Sequence, residues 1–316
     1  MKTAFIDTFV EGQAVQDIFI VTEKTTSSKK DGDTFLQVRL TDRTGSIRGV
    51  IWDNVDTISA GFEYGDYVQI QGRVTSFRNE TQLTLLSVHK VLSDTINPAD
   101  FLPMTQRDPD QMFVSLKNQS QTIENKDLNK ILQLFWEDDQ FVKKFCIAPA
   151  AKKMHHAYLG GLLEHTLSVS RLVDRLIQCH YRGINRDLLL TGAMLHDIGK
   201  IDEFVYETMI DYSDEGRLLN HIIIGLRLLD SKINSIADFP VETANQLRHL
   251  IASHHGTRLF GSPEPPKTLE AIILHYLDDL DSKIMGVRDY METSDDSSDW
   301  TPYHYAMERH FYKGKL

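Results

Sequence analysis

Met194-Leu195-His196-Asp197-Ile198-Gly199-Lys200 sets an imidazole directly beside a carboxylate. A mixed nitrogen and oxygen donor pair suits a transition-metal ion poised for hydrolysis. The run before it, Asp187 to Leu195, is apolar enough to be a buried helix. The pair therefore falls at the inner end of a core helix, and Gly199 is expected to let the chain turn away. A carboxylate buried there is costly unless a cation or hydrogen bonds satisfy it. For these seven residues alone, a capping aspartate beside a core histidine is an equally simple alternative. Other residues tilt the balance. The chain has 13 histidines, most of them after residue 154. His165 lies in the first turns of an amphipathic pattern that includes Leu162, Leu163, Leu167, Leu172 and Leu176. His221 starts the pattern Asn220 to Ile233, His254-His255 ends Val241 to His254, and Asp278, Asp279 and Asp281 lie within Thr268 to Met285. Polar groups on core helices must share partners. Several imidazoles and two carboxylates converging in one helical core are most simply explained by one or two metal ions. Thiolates are absent from the set, which argues against a structural zinc site.

The elements that must position these residues are predicted helices from Lys126 onward, where Leu128, Ile131, Leu132 and Phe135 recur at helical spacing. Residues 1 to about 95 read differently, as short strands. Gln13 to Val21 is the first, followed by a polar loop from Glu23 to Asp33. Leu36, Val38 and Leu40 then alternate with Phe35, Gln37 and Arg39. Asp42-Arg43-Thr44-Gly45 is a turn, and strands Ser46 to Trp52, Tyr67 to Val74 and Gln82 to Val91 complete a set of five. Five strands of this length suggest a small closed barrel. One outer face would carry Phe35, Arg39, Arg48 and Trp52, and rings interleaved with guanidinium groups are what stacking on single-stranded bases needs. Lys24, Lys29 and Lys30 of the polar loop are candidates to hold phosphates. A barrel used for protein contacts is the competing expectation. Asn97-Pro98, Leu102-Pro103 and Asp108-Pro109 break regular structure and mark residues 96–124 as a connector. The expected division is a barrel over 1–95, the connector over 96–124, and an α-helical domain with a C-terminal tail over 125–316.

The 316 residues suffice for about two domains. The net charge of −11 argues against a chain coated in basic surface, although a local groove can still be basic. Over residues 1–95, ten basic side chains face thirteen acidic ones, which weighs against nucleic acid. Cys146 and Cys179 imply no disulfide framework. The start carries no apolar signal core and no stretch approaches a membrane span, so the expectation is a cytoplasmic protein that engages no membrane.

The order of the strands, above all Leu40-Thr41-Asp42-Arg43-Thr44-Gly45-Ser46-Ile47 leading to Trp52, resembles an OB-fold, whose second and third strands carry the ligand face. The order His, His-Asp, His, His-His, Asp resembles the HD-domain phosphohydrolase superfamily over roughly 150–290. That resemblance implies a metal held by His165, His196, Asp197 and Asp278, with His221, His254 and His255 added in members that hold two ions. Asp279 competes with Asp278 for the distal place, and Asp281 is expected to support a ligand. Together with His155-His156-Ala157-Tyr158-Leu159-Gly160-Gly161-Leu162-Leu163-Glu164-His165, the whole chain is similar to the YhaM family of 3′→5′ exoribonucleases.

The fold implied is multidomain α+β, a small N-terminal OB-like barrel followed by an all-α HD domain. The activity implied is metal-dependent hydrolysis of single-stranded RNA from its 3′ end, with single-stranded DNA as a further substrate, by a homo-oligomer. The cofactor expected is one or two divalent ions, manganese first, with iron, cobalt, nickel or magnesium as alternatives. Asp197 bridges the ions, and Lys200 offsets charge on the phosphoryl oxygens. His155 and His156 are candidates to contact phosphate or the leaving oxygen. The alternatives are an HD phosphohydrolase of free or signalling nucleotides, and a non-enzymatic RNA-binding protein with a structural metal.

Overall fold

A computed structural model describes residues 2–28, 34–78, 80–92, 96–152, 156–179, 181–294 and 298–314. His155, Lys29 and Lys30, named above, lie outside the described residues. The chain divides into two compact units. Met1–Met104 with Tyr206–Ile210 form the first, and Thr105–Val205 with Asp211–Leu316 form the second.

The first unit is a closed five-stranded barrel of β1 (Ala14–Ser28), β2 (Thr34–Asp42), β3 (Gly45–Ile51), β4 (Tyr67–Phe77) and β5 (Glu80–Lys90), with a short helix α1 (Val55–Ser59). Around the barrel the order is β1-β2-β3-β5-β4, antiparallel except for the β3–β5 pair. Alternation puts Leu36, Val38 and Leu40 into the core with Val68, Ile70, Val74 and Leu83. Most of the expected polar loop is strand. β1 runs on to Ser28 past a bulge at Val21/Glu23, because residues 23–28 form an arm of that strand paired with residues 34–39 of β2. The side chains of residues 23–28 are themselves exposed or half-buried, so no alternation marks them. Lys24 is not free for phosphate, since its ammonium donates to the carbonyls of Ser59 and Phe62 at 2.7 and 2.6 Å.

The second unit is helical: α2 (Pro109–Ser120), α3 (Lys126–Trp136), α4 (Asp139–Ile147), α5 (Gly161–Ile177), α6 (Arg186–Leu195), α7 (Lys200–Glu203), α8 (Asp214–Ile233), α9 (Val241–Ser253) and α10 (Leu269–Glu292). A two-stranded hairpin, β6 (Phe204–Val205) with β7 (Asp211–Tyr212), leads from α7 to α8. Helix α6 is buried from Leu188 to Leu195, as an all-round apolar helix must be. The expected connector holds a helix. Asp108-Pro109 starts α2, with the Asp108 side chain accepting from Asp110 N and Gln111 N and Pro109 at the first helical position. Gln119 of α2 donates to the Ser170 carbonyl and to Asp174 on α5, so this stretch is part of the helical unit. Gly199 is not a left-handed turn residue. Its backbone is right-handed helical, and a Cβ there would lie 1.9 Å from the His221 carbonyl oxygen. It is small so that α7 and α8 can touch.

Candidate metal centre

The sequence brings its ligands together by ending helices at one point. His196 caps α6, Asp197 follows it, and His254 caps α9. His165 comes from the first turns of α5, Asp278 from the middle of α10. His221 follows Asn220, whose φ of 65° kinks α8. Two donor groups result, His165/His196/Asp278 and His221/His254/His255, each with one ligand atom per residue within 4.8 Å of the others. Asp197 stands between them. Its Oδ2 lies 3.6 and 3.3 Å from Nε2 of His165 and His196, and its Oδ1 lies 3.5 Å from Nε2 of both His221 and His254. Asp278 Oδ1 lies 3.2 Å from His165 Nε2. Asp279 instead pairs with Lys283 at 2.6 Å on the exposed side of α10.

All five imidazoles are anchored through Nδ1 and aim Nε2 inward. His165 Nδ1 bonds Asp281 at 2.8 Å, and His221 Nδ1 bonds Glu203 at 3.0 Å. Nδ1 of His196, His254 and His255 bonds the carbonyls of Ala193, Ile251 and Phe260 at 2.9, 2.7 and 2.8 Å. Carbonyl and carboxylate oxygens only accept, so Nδ1 carries a hydrogen in each ring and leaves Nε2 as the atom that can meet a cation, His165 first losing the proton that its raised pKa keeps there. A third group, His156/His165/Asp281, is closed by its own hydrogen bonds and offers no such set.

The electrostatics agree. Burial pushes the Asp197 carboxyl up, but the Lys200 ammonium and His196 overcome it and hold Asp197 well below the usual range. Burial likewise opposes ionised Asp278, and its hydrogen bond with His165 prevails and keeps it low. Burial disfavours protonated His165, yet Asp278 and Asp281 raise it to about 9. Burial, then neighbouring His254, pushes His255 down to about 3, and burial also lowers His221. Lys200 reaches Asp197 Oδ2 at 2.6 Å and is raised by it against burial.

These residues fit a pair of divalent cations. Asp197 Oδ1, His221 Nε2 and His254 Nε2 are buried with no hydrogen-bond partner among the described residues. Orphaned buried polar atoms are expensive, and three pointing at one another are what a bound cation relieves. Lys200, His221, His255 and Asp278 border a cavity of about 780 Å³.

His156, expected at the phosphate, is placed differently. It is buried, does not line this cavity, and bonds Asp281 through Nε2 and the Tyr158 hydroxyl through Nδ1. It braces the carboxylate that holds His165. Glu203 and the cavity-wall residues Tyr212 and Phe260 were not singled out from the sequence, while His275 was placed on the helix of Asp278. An acidic residue six positions after Asp197, in a short helix, was the one available signal for Glu203.

On the barrel, Phe35 and Trp52 stack with ring centroids 5.0 Å apart at 27°. Arg39 and Arg48 are opposite one another on β2 and β3. Arg39 also pairs with Glu23 at 3.0 Å, while Arg48 Nε is buried with no hydrogen-bond partner among the described residues. The four expected side chains thus share one face.

A barrel of this topology and a helical unit whose histidines and aspartates converge define an HD-domain hydrolase carrying an OB-fold. Residues 162–283 match the HD domain family, and residues 20–91 match an OB-fold nucleic acid binding domain family. The chain is 32% identical over 304 residues to the 3′-5′ exoribonuclease YhaM of Bacillus subtilis, covering 96% of this chain and 95% of that one. It is 31% identical over 304 residues to the YhaM of a Geobacillus species, covering 96% and 92%. The chain belongs to the YhaM family.

Proposed function

We propose that this protein is a metal-dependent 3′→5′ exoribonuclease that shortens single-stranded RNA and releases nucleoside monophosphates. The observation that carries this is the set of five Nδ1-anchored imidazoles around Asp197, with three orphaned buried atoms among them. Bound divalent cations, manganese first, supply Lewis acidity toward a phosphoryl oxygen and toward water. His165, His196, Asp197 and Asp278 would hold such an ion on one side, and His221, His254 and His255 would hold one on the other.

The chain's own residues do the rest. Asp197 is held ionised at neutral pH, so both of its oxygens are available to cations, and the proton lost by the attacking water ends on the leaving 3′ oxygen. Lys200 keeps its positive charge at the cavity wall and offsets charge on the phosphoryl oxygens. Hydrolysis forms a bond from water oxygen to phosphorus and breaks the bond to the 3′ oxygen of the preceding nucleotide. The barrel face of Phe35, Arg39, Arg48 and Trp52 holds single-stranded RNA by stacking, and single-stranded DNA by the same chemistry.

Ile272, Tyr276, Leu280 and Ile284 are exposed at four-residue spacing on α10, which supports self-association as a homo-oligomer. Among the described residues, no helix is long and apolar enough to cross a membrane, and the compartment proposed is the cytoplasm. The test is manganese-supplemented digestion of 5′-labelled single-stranded RNA. A ladder shortening from the 3′ end supports the proposal. Intact RNA together with turnover of free nucleotides overturns it.

A further inference from the structure

The cavity beside the metal ligands is walled by more than polar groups. Tyr212 and Phe260 both line it, and 40% and 66% of their surfaces are exposed. A phenyl ring left in water forgoes the stabilisation that burying it would bring. Single exposed aromatics are common, but these two come from separate segments and meet at one cavity beside the metal-ligand candidates.

Phe260 is bonded to a ligand, and the neighbour of Tyr212 to the residue that supports one. The Phe260 carbonyl accepts from Nδ1 of His255. Its 3₁₀ turn, Arg258–Phe260, lies between Gly256 and Gly261, both at positive φ, and is closed by Phe260 N and Ser262 N donating to the Thr257 carbonyl. Tyr212 lies on β7 opposite Phe204, with ring centroids 5.2 Å apart. The next residue, Ser213, donates its N–H to the carbonyl of Glu203, whose carboxylate holds His221. Next to Tyr212, Lys152 and Arg217 share the single carboxylate of Asp211 at 2.5 and 3.4 Å. Lys152 and Arg217 both line the cavity, and the Lys152 ammonium lies 5.7 Å from the centroid of the Tyr212 ring.

Aromatic rings and basic side chains beside the metal ligands in one cavity suit the base and the phosphate of a nucleotide. We propose that Tyr212 and Phe260 are the stacking surface for the base of the 3′-terminal nucleotide, which rests on the exonuclease assignment above. Every base presents a π face, so such a surface accepts any sequence as the chain is consumed. Because each ring is tied by backbone to a residue at the metal ligands, it sets the terminal phosphodiester relative to the cations.

The experiment compares two 5′-labelled oligoribonucleotides, one ordinary and one with an abasic 3′-terminal ribose. Both are digested with manganese by wild type, Tyr212→Leu/Phe260→Ala, and Phe260→Trp. On the ordinary end the double substitution is expected to raise KM by roughly 10- to 100-fold. Metal content stays at the wild-type level, and Phe260→Trp, which keeps a π face, loses less than the double substitution. On the abasic end wild type already shows the raised KM, and the double substitution adds nothing. Equal KM for wild type and the double variant on the ordinary end overturns the proposal. So does an equal loss on both ends, which marks a merely structural effect. Wild type that leaves both oligomers intact overturns the exonuclease assignment instead, and this proposal with it.

Discussion

Metal binding should expel a proton that an ordinary histidine would not be carrying. His165 is raised to about 9 in the metal-free site, against 6.5 for a free imidazole, because Asp278 and Asp281 outweigh its burial. At pH 8 a group of pKa 9 is about 90% protonated, whereas one of 6.5 is about 3% protonated. A cation taken at Nε2 must displace that proton, so binding releases about 0.9 proton from this residue alone. His221 and His255 add none, since burial lowers both. Apparent affinity should therefore rise nearly tenfold from pH 7 to 8 and flatten above about pH 10. The assay is calorimetric titration of manganese into metal-free protein at pH 8 in two buffers of different protonation enthalpy. Asp281→Asn removes the acceptor of His165 Nδ1. It should reduce the released proton and weaken binding by roughly 10- to 100-fold. Identical heats in the two buffers for wild type would refute the assignment of His165 as a protonated ligand awaiting its cation. The raised pKa also fixes a sign for the metal-free fold. Its stabilising contribution is complete below pH 6.5 and is lost as pH rises through about 9.

Three further outcomes follow from the packing. Gly199→Ala should cost about 3 kcal/mol or more and strip the metal, because its Cβ would fall 1.9 Å from the His221 carbonyl and 2.6 Å from Gly225 N; thermal unfolding and metal analysis both read this. Trp52→Ala should weaken single-stranded RNA binding by roughly 5- to 50-fold and leave metal content intact, since Trp52 is half of the stacked pair on the barrel. An unchanged Kd would remove that face from the substrate path. Asp17→Asn should destabilise the barrel by about 2 kcal/mol at pH 7, because the carboxylate accepts from Thr3 N and Ala4 N at 2.7 and 2.6 Å. Burial opposes the charge of Asp17, but those bonds hold its pKa below 3.8. Its contribution is thus present above pH 3.8 and lost as pH falls further, so the stability gap between wild type and variant should close in acid.

The barrel and the ligand helices were legible because their burial has a period. Leu36, Val38 and Leu40 face one core, and Asp187 to Leu195 is apolar on every side. The ligands were legible because charged and imidazole groups at the ends of apolar helices have few other reasons to be there. The arm of β1 was not, since residues 23–28 pair without burying a face. Asp108-Pro109 misled because the same dipeptide breaks a chain or begins a helix, and only the helix partner α5 decides between them. Gly199 misled because smallness serves close approach as well as turning. His156 misled because sequence gives its proximity to the site but not its direction, which is toward Asp281. The cavity wall was invisible because loops from three distant parts of the chain assemble it. Tyr212, Phe260 and Met307 have no common spacing.

The most direct measurement takes wild type and Asp197→Ala through metal analysis and RNA digestion in the same preparations. With Asp197 standing between both donor groups, wild type should hold two ions per chain and shorten RNA from the 3′ end. The variant should lose bound metal and leave the RNA intact. Full metal content with full turnover in Asp197→Ala would contradict a shared carboxylate at the centre of the site.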